Sequence, residues 1–125
     1  MGLDLTIRKQ HNITTDEKGR TTFQVTVLTN LRSCWNILEK LGNRLENGFD
    51  NCATYSFDEG TFHAILKELK KEFEQNQDSD LKYEIEKLEE FIKEQGLVAQ
   101  EPSEEDKEYG TDEHYGETFE VHAWW

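Results

Sequence analysis

Both ends of this chain alternate apolar and polar residues with period two, and no all-helical fold accommodates that. Leu3-Asp4-Leu5-Thr6-Ile7-Arg8 opens the chain, and Thr118-Phe119-Glu120-Val121-His122-Ala123-Trp124 closes it. A period of two places alternate side chains on opposite faces of a strand, one buried and one wet. A terminal strand of that kind needs a sheet to join. The opening segment and Phe23-Gln24-Val25-Thr26-Val27 are the available strands, with the polar stretch His11 to Thr21 as the connection between them.

The middle of the chain follows the helical period instead. Leu31, Cys34, Trp35, Leu38 and Leu41 fall on one face of a helix, with Asn30 as its N-cap and Gly42 as a left-handed C-cap. Phe62, Ile65, Leu66, Leu69 and Phe73 form a second stripe; Ser56-Phe57-Asp58-Glu59 before it has the form of a capping box, with Asp58 and Thr61 as competing caps. Leu81, Ile85, Leu88 and Ile92 form a third, ending at Gly96. Only Gln75 to Asp78 separates the last two stripes, which is the length of an antiparallel helical hairpin turn. Residues 42–55 read as an irregular connection.

The expected architecture is therefore α+β within a single domain, residues 1–125. A small antiparallel sheet from residues 3–9, 22–29 and 117–124 is packed by three helices near 31–41, 60–75 and 80–95. The segment 100–116 has almost nothing to bury and reads as a mobile acidic loop.

Charge narrows the function. The chain carries 27 acidic and 14 basic side chains, a net charge of −13, which opposes direct binding to nucleic acid backbones. Residues 1–50 are nearly balanced, with six acids and seven bases, so the acidity belongs to the second half. The longest apolar runs are three residues, far below the roughly 20 that a membrane span requires. Two cysteines, Cys34 and Cys52, make neither a disulfide framework nor a four-cysteine zinc site, and a reducing cytoplasm is the default.

Catalytic motifs are scarce. The chain has no phosphate-binding glycine loop, no Cys-x-x-Cys and no His-Glu-x-x-His. His114 and His122, with Asp112 or Glu117, form a conceivable zinc set, although solvated histidines explain the same residues. His63, beside Phe62, sits at the edge of a helix face. Cys34 on an apolar stripe behaves as a small hydrophobe, while Cys52 in a connection is more exposed.

What remains is the acidic surface together with terminal aromatics. Carboxylates spaced along a helix and a loop can occupy a groove evolved for phosphates, while an apolar anchor adds short-range affinity. The candidate contacts are Glu84, Glu86, Glu89 and Glu90 on the third helix and Glu104, Glu105 and Asp106 in the loop. Trp124 or Trp125 is the aromatic contact; completing the sheet and capping the core is their structural alternative.

Met1-Gly2-Leu3-Asp4 before an alternating strand, and Thr29-Asn30-Leu31 after the second one, resemble small phage and prophage proteins of unknown function. The likeness extends to the order of elements, ending in a short strand after a helical hairpin; the acidic segment 100–116 departs from it. The resemblance implies a mobile-element origin and a host-cell cytoplasm, and no reaction. The expected function is a non-enzymatic inhibitor of a host defence nuclease or other nucleic-acid-binding protein, without cofactor, acting on a basic protein surface. An immunity protein against a basic toxin shares these electrostatics. A small metal-dependent enzyme using His63, His114, His122 and Cys52 is the third class.

Overall fold

The structure, a computed structural model, describes residues 2–95 and 117–125, with the backbone alone for 10–13 and 23–25. The segment expected to be a mobile loop, and the expected helix stop at Gly96, lie outside the described residues. Seven elements follow in order: β1 (Asp4–Thr15), β2 (Thr21–Arg32), α1 (Trp35–Gly42), β3 (Thr54–Asp58), α2 (Glu59–Asn76), α3 (Ser79–Glu94) and β4 (Thr118–Trp124). The fold is α+β, a four-stranded antiparallel sheet in the order β2-β1-β4-β3 with the helices on one face.

The alternation at the two chain ends meets in one ladder. Leu5 lies opposite Ala123 and Ile7 opposite Val121, and all four side chains are buried. Leu31 of β2 and Phe57 of β3 extend this apolar face to both sides. From the helices, Ile37, Leu41, Phe62, Ile65, Leu69, Leu88 and Phe91 close the core over it. Its centre is an aromatic triad: Phe62, Phe91 and Phe119 stand edge to face, with ring centroids 5.6–5.8 Å apart.

The opposite sheet face is polar and self-satisfied. Arg8 Nε donates to Glu120 Oε2 at 2.9 Å, and His122 Nδ1 lies 2.8 Å from Thr54 Oγ1. Arg32 Nε donates to Asp4 Oδ1 at 3.1 Å.

Four expectations are corrected. The polar stretch after His11 is mostly strand, because β1 and β2 run on to a turn at Asp16–Arg20. Cross-strand threonines support it: the hydroxyls of Thr14 and Thr22 are 2.7 Å apart, and those of Thr15 and Thr21 3.3 Å. These β-branched residues suit a strand without supplying the apolar alternation. Gly19, at φ +78°, takes the left-handed position of the turn, and Asp16 Oδ1 accepts from the Lys18 and Arg20 amides. Past Arg8, β1 has only β2 beside it among the described residues, so the hairpin leaves the sheet as an arm. Lys9 covers the core where the arm departs, its ammonium 5.9 Å from the Phe119 ring centroid and 2.8 Å from Glu117 Oε1.

The second correction concerns α1. Asn30 is not its cap, since Asn30 and Leu31 pair in the ladder with Thr6 and Leu5. Ser33, at φ +60°, then turns the chain sharply, and its amide donates to the Leu3 carbonyl at 2.9 Å. No helix can pass through that left-handed residue, so α1 starts only at Trp35. Its inward residues are Ile37, Leu38 and Leu41, while Trp35 is 47% exposed.

Gly42 is likewise no left-handed cap. The helix closes with Asn43 in right-handed geometry, and Gly42 is small because a Cβ there would come within 3.3 Å of the Phe49 amide nitrogen.

The fourth is β3, read from the sequence as connection and capping box. Thr54–Asp58 instead pairs with β4, Phe57 opposite Phe119. Asp58 occupies the N-cap position of α2 without capping it, and its carboxylate accepts from the Thr118 hydroxyl at 2.7 Å. The helical hairpin agrees with the periodicity to within one residue at each end, and Asp78 caps α3 by accepting from the Asp80 amide at 2.8 Å.

Candidate functional site

Glu84 is the largest departure among the acids expected to face a partner. It is 1% exposed, pointing from α3 into the N-terminus of α1. Its Oε1 accepts from the Ile37 amide at 3.0 Å and its Oε2 from the Asn36 side-chain amide. Cys34, at the N-cap position, offers no side-chain bond, so a carboxylate from another helix does the capping. Burial pushes the Glu84 carboxyl above its ordinary range; the amide donors of Ile37 and Asn36 oppose that, and Asp80 adds to it. Glu84 is therefore a structural cap and is withdrawn from any contact surface.

The other α3 acids are on the surface. Glu86, Glu89 and Glu90 are exposed, Glu89 paired with Lys70 at 2.7 Å and Glu90 at 4.0 Å from Lys87. Glu104, Glu105 and Asp106 lie outside the described residues. Trp124 is 57% exposed on the polar side of the sheet, opposite Asp4. Trp125, half-buried, turns the other way and packs on the edge of the core.

Trp125 is held firmly. The Asn51 side chain accepts from its amide and donates to its carbonyl, both at 2.9 Å, imitating one more rung of the sheet. Cys52 donates its amide to the Ala123 carbonyl at 2.8 Å, tying the same loop to β4. The indole so placed meets Trp35 of α1, ring centroids 6.3 Å apart and planes at 62°.

Between α1 and the loop 43–50 these two rings border an open groove of about 660 Å³, lined also by Leu38, Leu45 and Phe49. Glu39 stands in its lining, and Glu46 and Asp50 are exposed on the loop. The cations of this segment turn away from it: Lys40 Nζ binds Glu72 at 2.7 Å, and Arg44 binds Glu68 at 3.1 Å, both on α2. The groove is thus aromatic, with an acidic border. Trp35 was not singled out from the sequence, because its spacing assigned it to the buried stripe. The signal that could have found it is Ile37, because a stripe of Cys34, Ile37, Leu38 and Leu41 leaves Trp35 at its margin.

The chemical candidates are not brought together. His63 on α2 contacts Glu59 four residues earlier at 3.4 Å, and His122 lies beside Thr54 on the sheet. Both described cysteines are free. Among the described residues no three His, Cys, Asp or Glu side chains are arranged to hold a metal ion. His114 lies outside them. Burial, reinforced by the Glu84 carboxylate, pushes the Cys34 thiol up to about 12, which keeps it protonated and unreactive near neutrality. Alkylation of the folded protein with iodoacetamide is therefore expected to modify Cys52, which is exposed, and to spare Cys34 until denaturant is added; peptide mass spectrometry reads the difference.

Among the described residues no helix is long and apolar enough to cross a membrane. In comparison with known proteins, no family model, no curated protein and no solved structure matches this chain.

Proposed function

We propose that this chain is a non-enzymatic binding protein that inhibits a nuclease or another nucleic-acid-binding protein by occupying its basic site. The phage-like opening residues favour a mobile-element origin, and with it a target among host defence proteins in the host cytoplasm. The observation that carries this reading is the acid surplus, a net charge of −13 on 125 residues. Many of the cations already serve acids of the chain itself, as in Arg8–Glu120, Lys40–Glu72, Arg44–Glu68 and Lys70–Glu89. The field that remains is negative, and it accelerates encounter with a positive partner surface. Glu86, Glu89 and Glu90 supply exposed carboxylates along one helix.

The test is affinity capture from the host, followed by competition between the purified chain and nucleic acid for the captured protein. The expected partner is a basic nucleic-acid-binding protein that releases its nucleic acid as this chain binds. Its affinity for this chain is expected to fall steeply from about 50 to about 500 mM salt, as the screening length shortens. A partner that keeps its nucleic acid while bound, or an affinity indifferent to salt, overturns the reading.

A further inference from the structure

We propose that the groove bordered by Trp35 and Trp125 receives one arginine side chain of a basic protein segment. The guanidinium lies against the exposed Trp35 indole, its charge answered by Glu39. This deepens the function proposed above and rests on it, naming the surface and the side chain through which an acidic binder engages a basic partner.

Three observations converge on an arginine. The first is the aromatic pair. Trp35 is 47% exposed on a helix whose neighbouring residues Ile37, Leu38 and Leu41 are buried, and Trp125 meets it at 62°. The pair is edge to face, and the exposed Trp35 ring attracts a cation through its quadrupole. The second is preorganisation: the two Asn51 bonds fix Trp125, and the Glu84 cap fixes the first turn of α1 that carries Trp35. Little ordering remains to oppose binding.

The third is the charge. Lys40 and Arg44, the two cations of this segment, are drawn to α2 by Glu72 and Glu68, leaving Glu39 as the charged side chain in the groove's lining. An anion is repelled there, and a purely apolar ligand gains nothing from the carboxylate. Arginine gains on both counts. Its guanidinium is planar, stacks on aromatic faces and sheds water more readily than an ammonium, and its stem can lie along Leu38 and Leu45. The volume of about 660 Å³ falls within the range of pockets that take small molecules.

The probe is the peptide acetyl-Gly-Arg-Leu-Arg-Gly-amide, titrated into the full chain while the indole NMR signals are followed. The control peptide carries citrulline for both arginines, the same shape without charge. The expected result is a saturable shift of the Trp35 and Trp125 signals with the arginine peptide, and affinity roughly tenfold weaker with citrulline. Glu39→Lys should weaken the arginine peptide by a similar factor, and Trp35→Ala should abolish the saturable shift. Both replaced residues are exposed, and unchanged far-UV circular dichroism verifies their folding.

Equal binding of the two peptides, or shifts confined to Trp124 or to α3, overturns the proposal. The triple variant Glu86→Lys, Glu89→Lys, Glu90→Lys separates this proposal from the function it rests on. It should leave peptide affinity within about twofold, since none of the three lines the groove and salt weakens exposed charges that make no contact with the ligand. If the peptide misses the groove while the host partner is still displaced from nucleic acid in a salt-dependent way, the groove assignment fails alone. If the groove takes the peptide but no basic partner is displaced, the general reading fails and the arginine site stands.

Discussion

Phe119→Ala is expected to destabilise the protein by about 4 kcal/mol, the range for removing a fully buried phenylalanine. That is a large share of the roughly 5–15 kcal/mol that holds a domain folded. The ring is 1% exposed and lies 5.8 Å from Phe62 on α2 and 5.7 Å from Phe91 on α3, so it joins β4 to both helices of the hairpin. Truncation opens a cavity where the sheet meets both helices of the hairpin, and the edge-to-face contacts vanish with it. Phe119→Leu keeps most of the volume and should cost only about 1.5 kcal/mol. Urea denaturation checks both: the midpoint should fall in that order with little change in slope. Equal, small losses for the two variants would show that the triad does not bind the layers together.

Glu84 gives the second large effect, through polarity. Glu84→Ala is expected to cost about 3 kcal/mol, because the Ile37 amide and the Asn36 side chain lose a charged acceptor in a buried place. For a chain of this size the melting temperature should fall by roughly 10 °C. Glu84→Gln is expected to differ sharply from alanine. Its carbonyl still accepts from Ile37, and a flipped Asn36 amide can accept from its new NH₂ group.

The two forms also separate by pH. Burial holds the folded-state carboxyl above its ordinary value of 4.5, so the folded protein binds that proton more tightly than the unfolded chain. Stability from this group is full below pH 4.5 and is lost as the pH rises through the raised folded-state pKa. Glutamine has no charge to desolvate. The stability of Glu84→Gln relative to the parent should therefore increase as the pH rises above 4.5, measured by thermal melts across pH 4 to 8. A constant difference over that interval would contradict a desolvated carboxylate at this position.

The same residue shows why a sequence reading of acidic sites can fail. Glu84, Glu86, Glu89 and Glu90 lie within two turns of one helix, and their residue type is identical. The apolar stripe of Leu81, Ile85 and Leu88 already puts Glu84 beside the inward face, one position from Ile85. That an acid could be buried there depends on the amide donors of Ile37 and Asn36 in the first turn of α1, which lie 47 and 48 residues away in sequence. No local pattern reports such a partner. Trp125 packs on the edge of the core, the structural alternative to an aromatic contact, and there meets Trp35, which the spacing of the first stripe assigns to the core. Trp35 comes to the surface because Cys34, Ile37, Leu38 and Leu41 form the inward stripe of α1 and leave it at the margin.

Periodicity was sufficient for the α+β class, for the helical hairpin and for the terminal strand. Each of these rests on which face of an element is apolar, and composition along a short window encodes that face. Tertiary structure alone decided that Asn30 and Leu31 pair in the sheet, that Thr54–Asp58 becomes its fourth strand, that Glu84 caps α1, and that Trp35 and Trp125 meet at the border of a groove. All four depend on backbone donors and acceptors finding partners far along the chain. A residue's own neighbours in sequence determine whether it can be buried, and only the assembled sheet and helices determine against what.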